Sequence, residues 1–482
     1  MELVQTVKGK PKLIYRGYMY TQQIRKPTTI RWRCVDRNGG CKGTLTTDLR
    51  TQFPVPRQPH CHAPDMTAVE VTKCRAVIAE RATNSSDSPN TIYTEEVTKL
   101  SFPAKAAMLS SETIRRGIAR LRARMMPVEP TSLAELVIQA PWTELGDGQK
   151  FLFYDDADGD DGRILAFATD ANLRRLSRAS RWYMDGTYAV APQLFLQLYV
   201  IHVAVGERTC PVLYAMLEKK TEAAYARLFG AIVDRCHAVG CHPAPGVIMI
   251  DFELPVSCAI VNVFGGRTRV QHCFFHLTQS VWRKVKDQGL TANFRNDAGF
   301  SHFCGMVCAL AFLPPDRVAE GVRHLRGVLP DGDDGAAAIL DYFDSTYVSG
   351  RFVRGQEQAE PGIRVRRLPA RFPAARWSVH DATLNGDPRT NNVCEAWNSK
   401  YAHLVAGQNH LSVWRSIQML RKEQGATDTL VAQAETGQPP RRRQKRQTVR
   451  LQTRLYNLCG EFVNNQKTVG EFLSAVGHTV HL

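Results

Sequence analysis

The chain is expected to fold as an α/β protein with a small β module at its N-terminus, and three observations predict this. Between residues 181 and 275, runs rich in aromatic and β-branched residues are interrupted by two stretches of helical periodicity, in the order β-β-β-α-β-α-β. The first 65 residues read as short strands around two cysteines and two histidines. Three acidic residues, Asp185, Asp251 and Glu395, stand within or at the ends of predicted elements rather than scattered through polar loops.

The bulk properties set limits. A chain of 482 residues is too long for one ordinary core, so several units are expected. A formal charge of +16 favours a polyanionic partner, with nucleic acid ahead of a membrane surface. No uninterrupted apolar run is long enough to span a bilayer and the N-terminus lacks a signal-peptide pattern, so a soluble, intracellular protein is expected. Thirteen cysteines in such a chain point to reduced thiols. Cys210, Cys236, Cys258, Cys304 and Cys308 have apolar flanks and read as small buried residues.

In the N-terminal module (1–65), KLIYRGYMYTQQ, TTIRWRCV and CKGTLTTDL are strands, with NGG as a turn. Cys34, Cys41, His60 and His62 are spaced C-x6-C-x18-H-x-H, and two thiolates with two imidazoles suit tetrahedral zinc. On a strand the H-x-H spacing turns both histidines to one side and Cys61 to the other. Sixty-odd residues build a small core, so the ion would be structural. Arg16, Arg25, Lys26, Arg31, Arg33, Arg37 and Lys42 make the module basic, either for DNA contact or as solubilising residues on a protein-binding module.

Residues 66–149 read as a linker and a basic helical region, with NSSDSPN (84–90) as the linker or loop between units. In SSETIRRGIARLRARMM, Ser110 or Ser111 can cap a helix whose apolar face is Ile114, Ile118 and Leu121. Arg115, Arg116, Arg120, Arg122 and Arg124 occupy the rest, either lying along phosphates or forming a solvated face.

Residues 150–293 hold the first part of the core. RWYMDGTYAV, QLFLQLYVIHVAV and CPVLYAMLE are successive strands, and a helix follows from a Thr221 cap to a Gly240 stop. GVIMID is a strand, LPVSCAIVNVF a helix and RVQHCFF a last strand. This is the order expected of an RNase H-like core, with helices covering a mixed sheet. Residues 294–385 are mainly helical and read as an insertion, 386–424 as the final core helix, and 425–482 as a polar basic tail. Its cluster of Arg441, Arg442, Arg443, Lys445 and Arg446 reads as a nuclear address or a phosphate patch.

Asp185 shares a strand face with Tyr183 and Thr187, opposite Trp182 and Met184. Asp251 ends an apolar run, where a carboxylate is costly unless a cation or donors neutralise it. Glu395 follows Thr390, Asn391 and Asn392, any of which can cap its helix. It falls off a packing stripe of Val393, Trp397, Tyr401 and Leu404, with Asn398 and Ser399 beside it. Glu253 and Asp381 are the substitutes. Carboxylates gathered this way suit two divalent cations, Mg²⁺ or Mn²⁺, which assist in-line phosphoryl transfer.

On DGTY (185–188), IDFE (250–253), the C-x-x-H of Cys273 and His276, and TNNVCEAWN (390–398), the chain resembles a Mutator-like element (MULE) transposase with a DDE core. The resemblance spans about half the chain. It implies that Asp185, Asp251 and Glu395 bind metal and that the protein cleaves DNA and transfers strands. It also implies that Cys273 and His276 stabilise the fold or position DNA, a zinc site shared with another cysteine being the alternative. Trp377 would stack on a base or pack in the interior. With Tyr18, Tyr20, Trp32 and the WRC sequence, the N-terminal module resembles a FLYWCH-type zinc finger.

The partners expected are therefore double-stranded DNA, as terminal inverted repeats and target, and a further copy of the chain, since synapsis of two ends requires at least a dimer. The location expected is the nucleus. A domesticated DNA-binding regulator that keeps the fold without cleavage is the alternative function, and a zinc-module protein adaptor is a third. Cys236, His237, Cys241 and His242 read as a helix end and loop rather than a metal site.

Overall fold

A computed structural model describes residues 1–6, 9–85, 87–157, 161–330, 334–354, 365–405, 410–437 and 445–480. It divides into two compact units, Met1–Val128 and Glu129–Leu482.

The first unit opens with a six-stranded antiparallel meander: β1 (Glu2–Gln5), β2 (Pro11–Tyr15), β3 (Tyr18–Arg25), β4 (Thr29–Cys34), β5 (Thr44–Asp48) and β6 (Val55–Gln58). Alternation along the strands sends Leu13, Tyr20, Ile30, Trp32 and Leu45 into one small core, where the Trp32 indole donates to Thr47 Oγ1 at 2.9 Å. Four helices follow: α1 (Met66–Asn84), α2 (Pro89–Thr98), α3 (Phe102–Ala107) and α4 (Ser111–Arg124). Asp65, Ser88, Ser101 and Ser110 cap them, each accepting a backbone N–H of the first turn. The polar stretch 84–90 is not a linker between units. It lies within the first unit, where α1 and α2 bury Ile78, Ala82 and Ile92 in one cluster with Ile114 and Ile118 of α4.

The second unit is built on a seven-stranded mixed sheet. Its elements are β7 (Leu152–Asp155), β8 (Ile164–Phe167), α5 (Asp170–Arg178), β9 (Arg181–Thr187), β10 (Gln197–Val205), β11 (Arg208–Leu217), α6 (Glu222–Ala238), β12 (Val247–Ile250), α7 (Leu254–Phe264), β13 (Arg269–His272) and α8 (Phe274–Asp287). The spatial order is β13-β12-β9-β10-β11-β8-β7, with β13 and β12 parallel to each other, β12 parallel to β9, and the other pairings antiparallel. α5, α6 and α7 cover one face, burying Leu173, Phe229 and Ile260 against Trp182, Met184 and Ile250. Continuous burial on both faces explains the unbroken apolar run of β12.

Two features of this region differ from expectation. β7 and β8 extend the sheet and α5 helps to cover it, and none of the three was anticipated. The expected strand RVQHCFF ends at His272, and Cys273 becomes the N-cap position of α8. Phe274 therefore packs as a helical residue against Phe312.

Residues 291–384 hold α9 (Thr291–Asn296), α10 (Ala298–Ala309), α11 (Val318–Gly327) and α12 (Asp334–Phe343), a π-turn at Asp344–Val348, the hairpin β14 (Arg351–Arg354) and β15 (Val365–Leu368), and two short helices, α13 (Ala374–Trp377) and α14 (His380–Leu384). The chain then forms α15 (Asn392–Leu404), α16 (Val413–Glu435), α17 (Arg446–Val463) and α18 (Val469–Gly477). The last residues are not a polar tail. Leu455, Cys459 and Phe462 of α17 and Phe472, Leu473 and Val476 of α18 are buried in the same core as Phe303, Leu325 and Leu340 of the preceding helices. Arg441, Arg442 and Arg443 lie outside the described residues; Lys445 and Arg446, at the start of α17, are exposed.

Candidate functional site

Parallel pairing brings two of the three acids to one level. Val247, Ile248 and Met249 of β12 lie opposite Arg181, Trp182 and Tyr183 of β9. Continued along both chains, this register sets Asp251 level with Asp185 on the neighbouring strand, where side chains of equal parity share a face. That face is covered by α15: Cys394 packs with Tyr183 and Met249, and Trp397 meets Tyr214 and His202. The buried stripe of α15 is Cys394, Trp397 and Tyr401, whereas Val393 and Leu404, expected in it, are exposed. Glu395, next to Cys394, is thereby turned to the end of the sheet where Asp251 emerges.

His276, in the first turn of α8, joins the group. Its Nδ1 lies 2.9 Å from Asp251 Oδ1 and its Nε2 3.4 Å from Glu395 Oε1. The first contact is a close ion pair rather than an aligned hydrogen bond, since Nδ1 finds no acceptor in its N–H direction. Burial disfavours charge on the ring, but Asp251 and then Cys273 outweigh it and push His276 up to about 10. The His276 ring thus lies between the two distant carboxylates.

Two asparagines complete the frame. Asn398, one turn beyond Glu395, donates Nδ2 to Asp185 Oδ2 at 2.7 Å, and the Gly186 N–H donates to Oδ1 at 2.8 Å. Asn391 stands at the N-cap position of α15, yet its side chain does not cap the helix; its Nδ2 donates to Asp251 Oδ1 at 2.8 Å. The His272 ring is held neutral by burial, lowered to about 4, and donates from Nδ1 to the Asp251 carbonyl at 2.8 Å. Sequence reasoning placed Asn398 beside Glu395 but gave Asn391 only a capping role and missed His272. Nothing near them in the sequence signals these roles, because each is set by Asp251, 140 positions from Asn391 and 21 from His272.

Asp185 is only 9% exposed. Burial, followed by the charge of Asp251, raises it to about 7, and burial also raises Glu395. Burial disfavours the charged forms of Asp185 and Glu395, a cost that a divalent cation held by these carboxylates would relieve. Glu253 lines a cavity of about 80 Å³ with Asp185 and Asp251, but its oxygens accept from Tyr188 at 3.2 Å and Tyr225 at 3.1 Å. Asp381 lies apart from this group and pairs with His380 at 3.0 Å.

Cys273 is fully buried, and its Sγ accepts from the Asn391 N–H at 3.4 Å, which fixes the start of α15 to the start of α8. Trp377 is 0% exposed and donates from Nε1 to the carbonyls of Tyr347 and Phe372. It has no face for a base, so its packing role stands and its stacking role is withdrawn. In α4, Arg115, Arg116 and Arg120 are exposed, and Arg116 pairs with Glu112. Arg122 instead turns inward and donates to the carbonyls of Ala82, Ser85 and Asp87, closing the C-terminal end of α1.

The first unit holds the second site. Cys34 Sγ lies 3.3 Å from His62 Nε2, Cys41 Sγ lies 3.3 Å from His60 Nδ1, and all four ligand atoms fall within 4.8 Å of one another. The remaining ring nitrogens are oriented as zinc-bound histidines require: His60 Nε2 meets the Tyr20 hydroxyl at 2.8 Å and His62 Nδ1 the Ala63 carbonyl at 2.8 Å. Backbone N–H groups of Asp36 and Gly43 point at the two sulfurs. Among the described residues this is the one cluster with metal-ligand geometry; neither Cys236, His237, Cys241 and His242 nor Cys273 with another cysteine forms one.

Residues 3–62 match the family model of the FLYWCH zinc finger domain, and residues 181–280 match that of the MULE transposase domain. The chain carries a FLYWCH zinc finger and a MULE transposase domain. The FLYWCH match contains all four zinc-site residues, and the MULE match contains Asp185, Asp251, Cys273 and His276 but stops before Glu395. No curated protein matches the chain. FLYWCH and MULE domains both point to DNA as the partner, and among the described residues no helix is long and apolar enough to cross a membrane.

Proposed function

We propose that the protein is a DDE-type transposase, which binds element ends through its zinc module and cleaves and joins DNA at the site framed by Asp185, Asp251 and Glu395. The observation that carries this reading is the meeting of Asp251 and Glu395, from distant segments, on the His276 imidazole at the end of a mixed sheet, with Asp185 within electrostatic reach of both Asp251 and Glu395. The strand order, with an antiparallel β9-β10-β11 meander extended by parallel β12 and β13, supports an RNase H-like core.

Asp185, Asp251 and Glu395 would hold two Mg²⁺ or Mn²⁺ ions, which neutralise charge developing on the phosphate and activate the attacking oxygen. Asn398 and Asn391 orient the two aspartates, and His276 spaces Asp251 from Glu395. Hydrolysis and strand transfer differ only in the attacking oxygen, water in the first and a 3′-hydroxyl in the second, so one site serves both. Exposed Arg115, Arg116 and Arg120 offer phosphate contacts in the first unit. Terminal inverted repeats and target DNA are the duplexes bound, two ends require at least a dimer, and the nucleus is the compartment.

A transposase-derived DNA-binding regulator is favoured by one observation: a basic side chain, His276, already lies within ion-pair distance of two of the acids. Purified protein incubated with terminal-repeat duplex and Mg²⁺ separates the readings. Cleavage that is lost in Asp251→Ala and Glu395→Ala supports the enzyme; DNA binding without cleavage in the wild type supports the regulator.

A further inference from the structure

A cleft of about 1160 Å³ opens directly from Asp251 and His276 and runs between α8 and the segment from the π-turn to β15 and Arg371. Its walls are cationic on both sides. Arg283 and Lys284 project from α8, and Arg351 and Arg371 flank the hairpin opposite. Among the described residues none of the four makes an ion pair; Lys284 lies over the Tyr342 ring and Arg371 over that of Phe372. The acids at the cleft are Asp287, which is exposed, and Asp251 and Glu253, whose partners are given above.

We infer that this cleft binds a single DNA strand, with Arg283, Lys284, Arg351 and Arg371 as positioning residues for its phosphates. Facing cations without counter-ions repel one another, and a polyanion between them relieves that repulsion. They lead to the carboxylate cluster, which by itself would repel a phosphate, so the walls supply the attraction that the floor lacks. The volume suits a few nucleotides of one strand. Tyr342, half-buried in the wall, adds an aromatic surface of the kind that unpaired bases use. A few unpaired nucleotides beside the scissile phosphate are therefore the substrate feature this cleft recognises. The inference deepens the transposase reading and rests on it for the identity of the strand.

The test is binding by the full chain of a labelled single strand and of the corresponding duplex, across a salt series and without added Mg²⁺. The variant is Arg283→Glu with Arg371→Glu, both exposed, and the control is Arg174→Glu with Arg178→Glu, an equal charge change on exposed positions of α5 on the opposite sheet face. Circular dichroism confirms that each is folded. The cleft variant is expected to weaken single-strand binding at least tenfold more than the control. It should also flatten the slope of log K against log salt by about 0.7 for each phosphate that the cleft no longer neutralises. Equal weakening by the two variants, or a loss confined to duplex, overturns the inference. The readout needs no turnover, so a protein that does not cleave still reports on the cleft. Cleavage by wild type combined with unaltered binding by the cleft variant would leave the transposase reading standing and remove this one.

Discussion

Asn398 Nδ2 donates to Asp185 Oδ2 at 2.7 Å across 213 positions of sequence. The bond ties the second turn of α15 to β9, so the helix that presents Glu395 cannot shift without moving the aspartate. A side chain acting in this way positions a ligand rather than reacting itself, and such partners typically contribute 10–100-fold in affinity or activity. Asn398→Ala is expected to lower kcat for DNA cleavage roughly tenfold or more, leaving DNA affinity within about twofold. Equal losses in affinity and turnover would place Asn398 on the DNA instead.

Asp185 is predicted to cost stability when no divalent ion is present. The folded protein keeps the proton on this carboxyl up to about pH 7, whereas an unfolded aspartate releases it near pH 3.9. The native state therefore binds more protons over that interval, and the contribution of Asp185 to stability falls as pH rises through it. Asp185→Asn removes the ionisation. Without Mg²⁺ or Mn²⁺ the variant should be more stable than wild type at pH 8, by roughly 1–4 kcal/mol, with little difference at pH 4. Denaturant unfolding at the two pH values measures it; a variant less stable at pH 8 would show that the buried charge is already well compensated.

Gly43 predicts a specific sensitivity of the zinc module. A Cβ at this position would lie 2.6 Å from the His60 ring, closer than the packing allows, and His60 cannot retreat without leaving Cys41. Gly43→Ala is expected to reduce bound zinc from one ion per chain and to melt the β1–β6 sheet, since zinc binding and folding are coupled in a module with so small a core. Metal analysis alongside thermal melting checks this. Full zinc occupancy in the variant would mean that the ligands sit elsewhere.

Much of this architecture was legible because it rests on local pattern. The aromatic and β-branched runs around Tyr183, Val200 and Leu213, the Thr221 cap and the positive φ of Gly240 after α6 all express local preferences that the fold keeps. The zinc residues were legible for the same reason. What escaped depends on contacts distant in sequence. Phe274 and Phe275 extend an apolar run that suits a strand, but burial of Phe274 against Phe312 makes it helix. In α17 the stripe of Leu455, Leu458, Cys459 and Phe462 was overshadowed by the arginines before it, and only its packing against α14 and α18 reveals it as core. The roles of His276 and Asn391 were hidden because each is defined by a carboxylate more than a hundred residues away or in another element.

The central claim is that Asp185, Asp251 and Glu395 form one divalent-ion site, and Mn²⁺ titration followed by electron paramagnetic resonance tests it most directly. Wild-type protein should bind Mn²⁺ in competition with Mg²⁺, and Asp185→Asn, Asp251→Asn and Glu395→Gln should each weaken that binding by at least tenfold while zinc content stays constant. Undiminished Mn²⁺ binding in all three variants would contradict it.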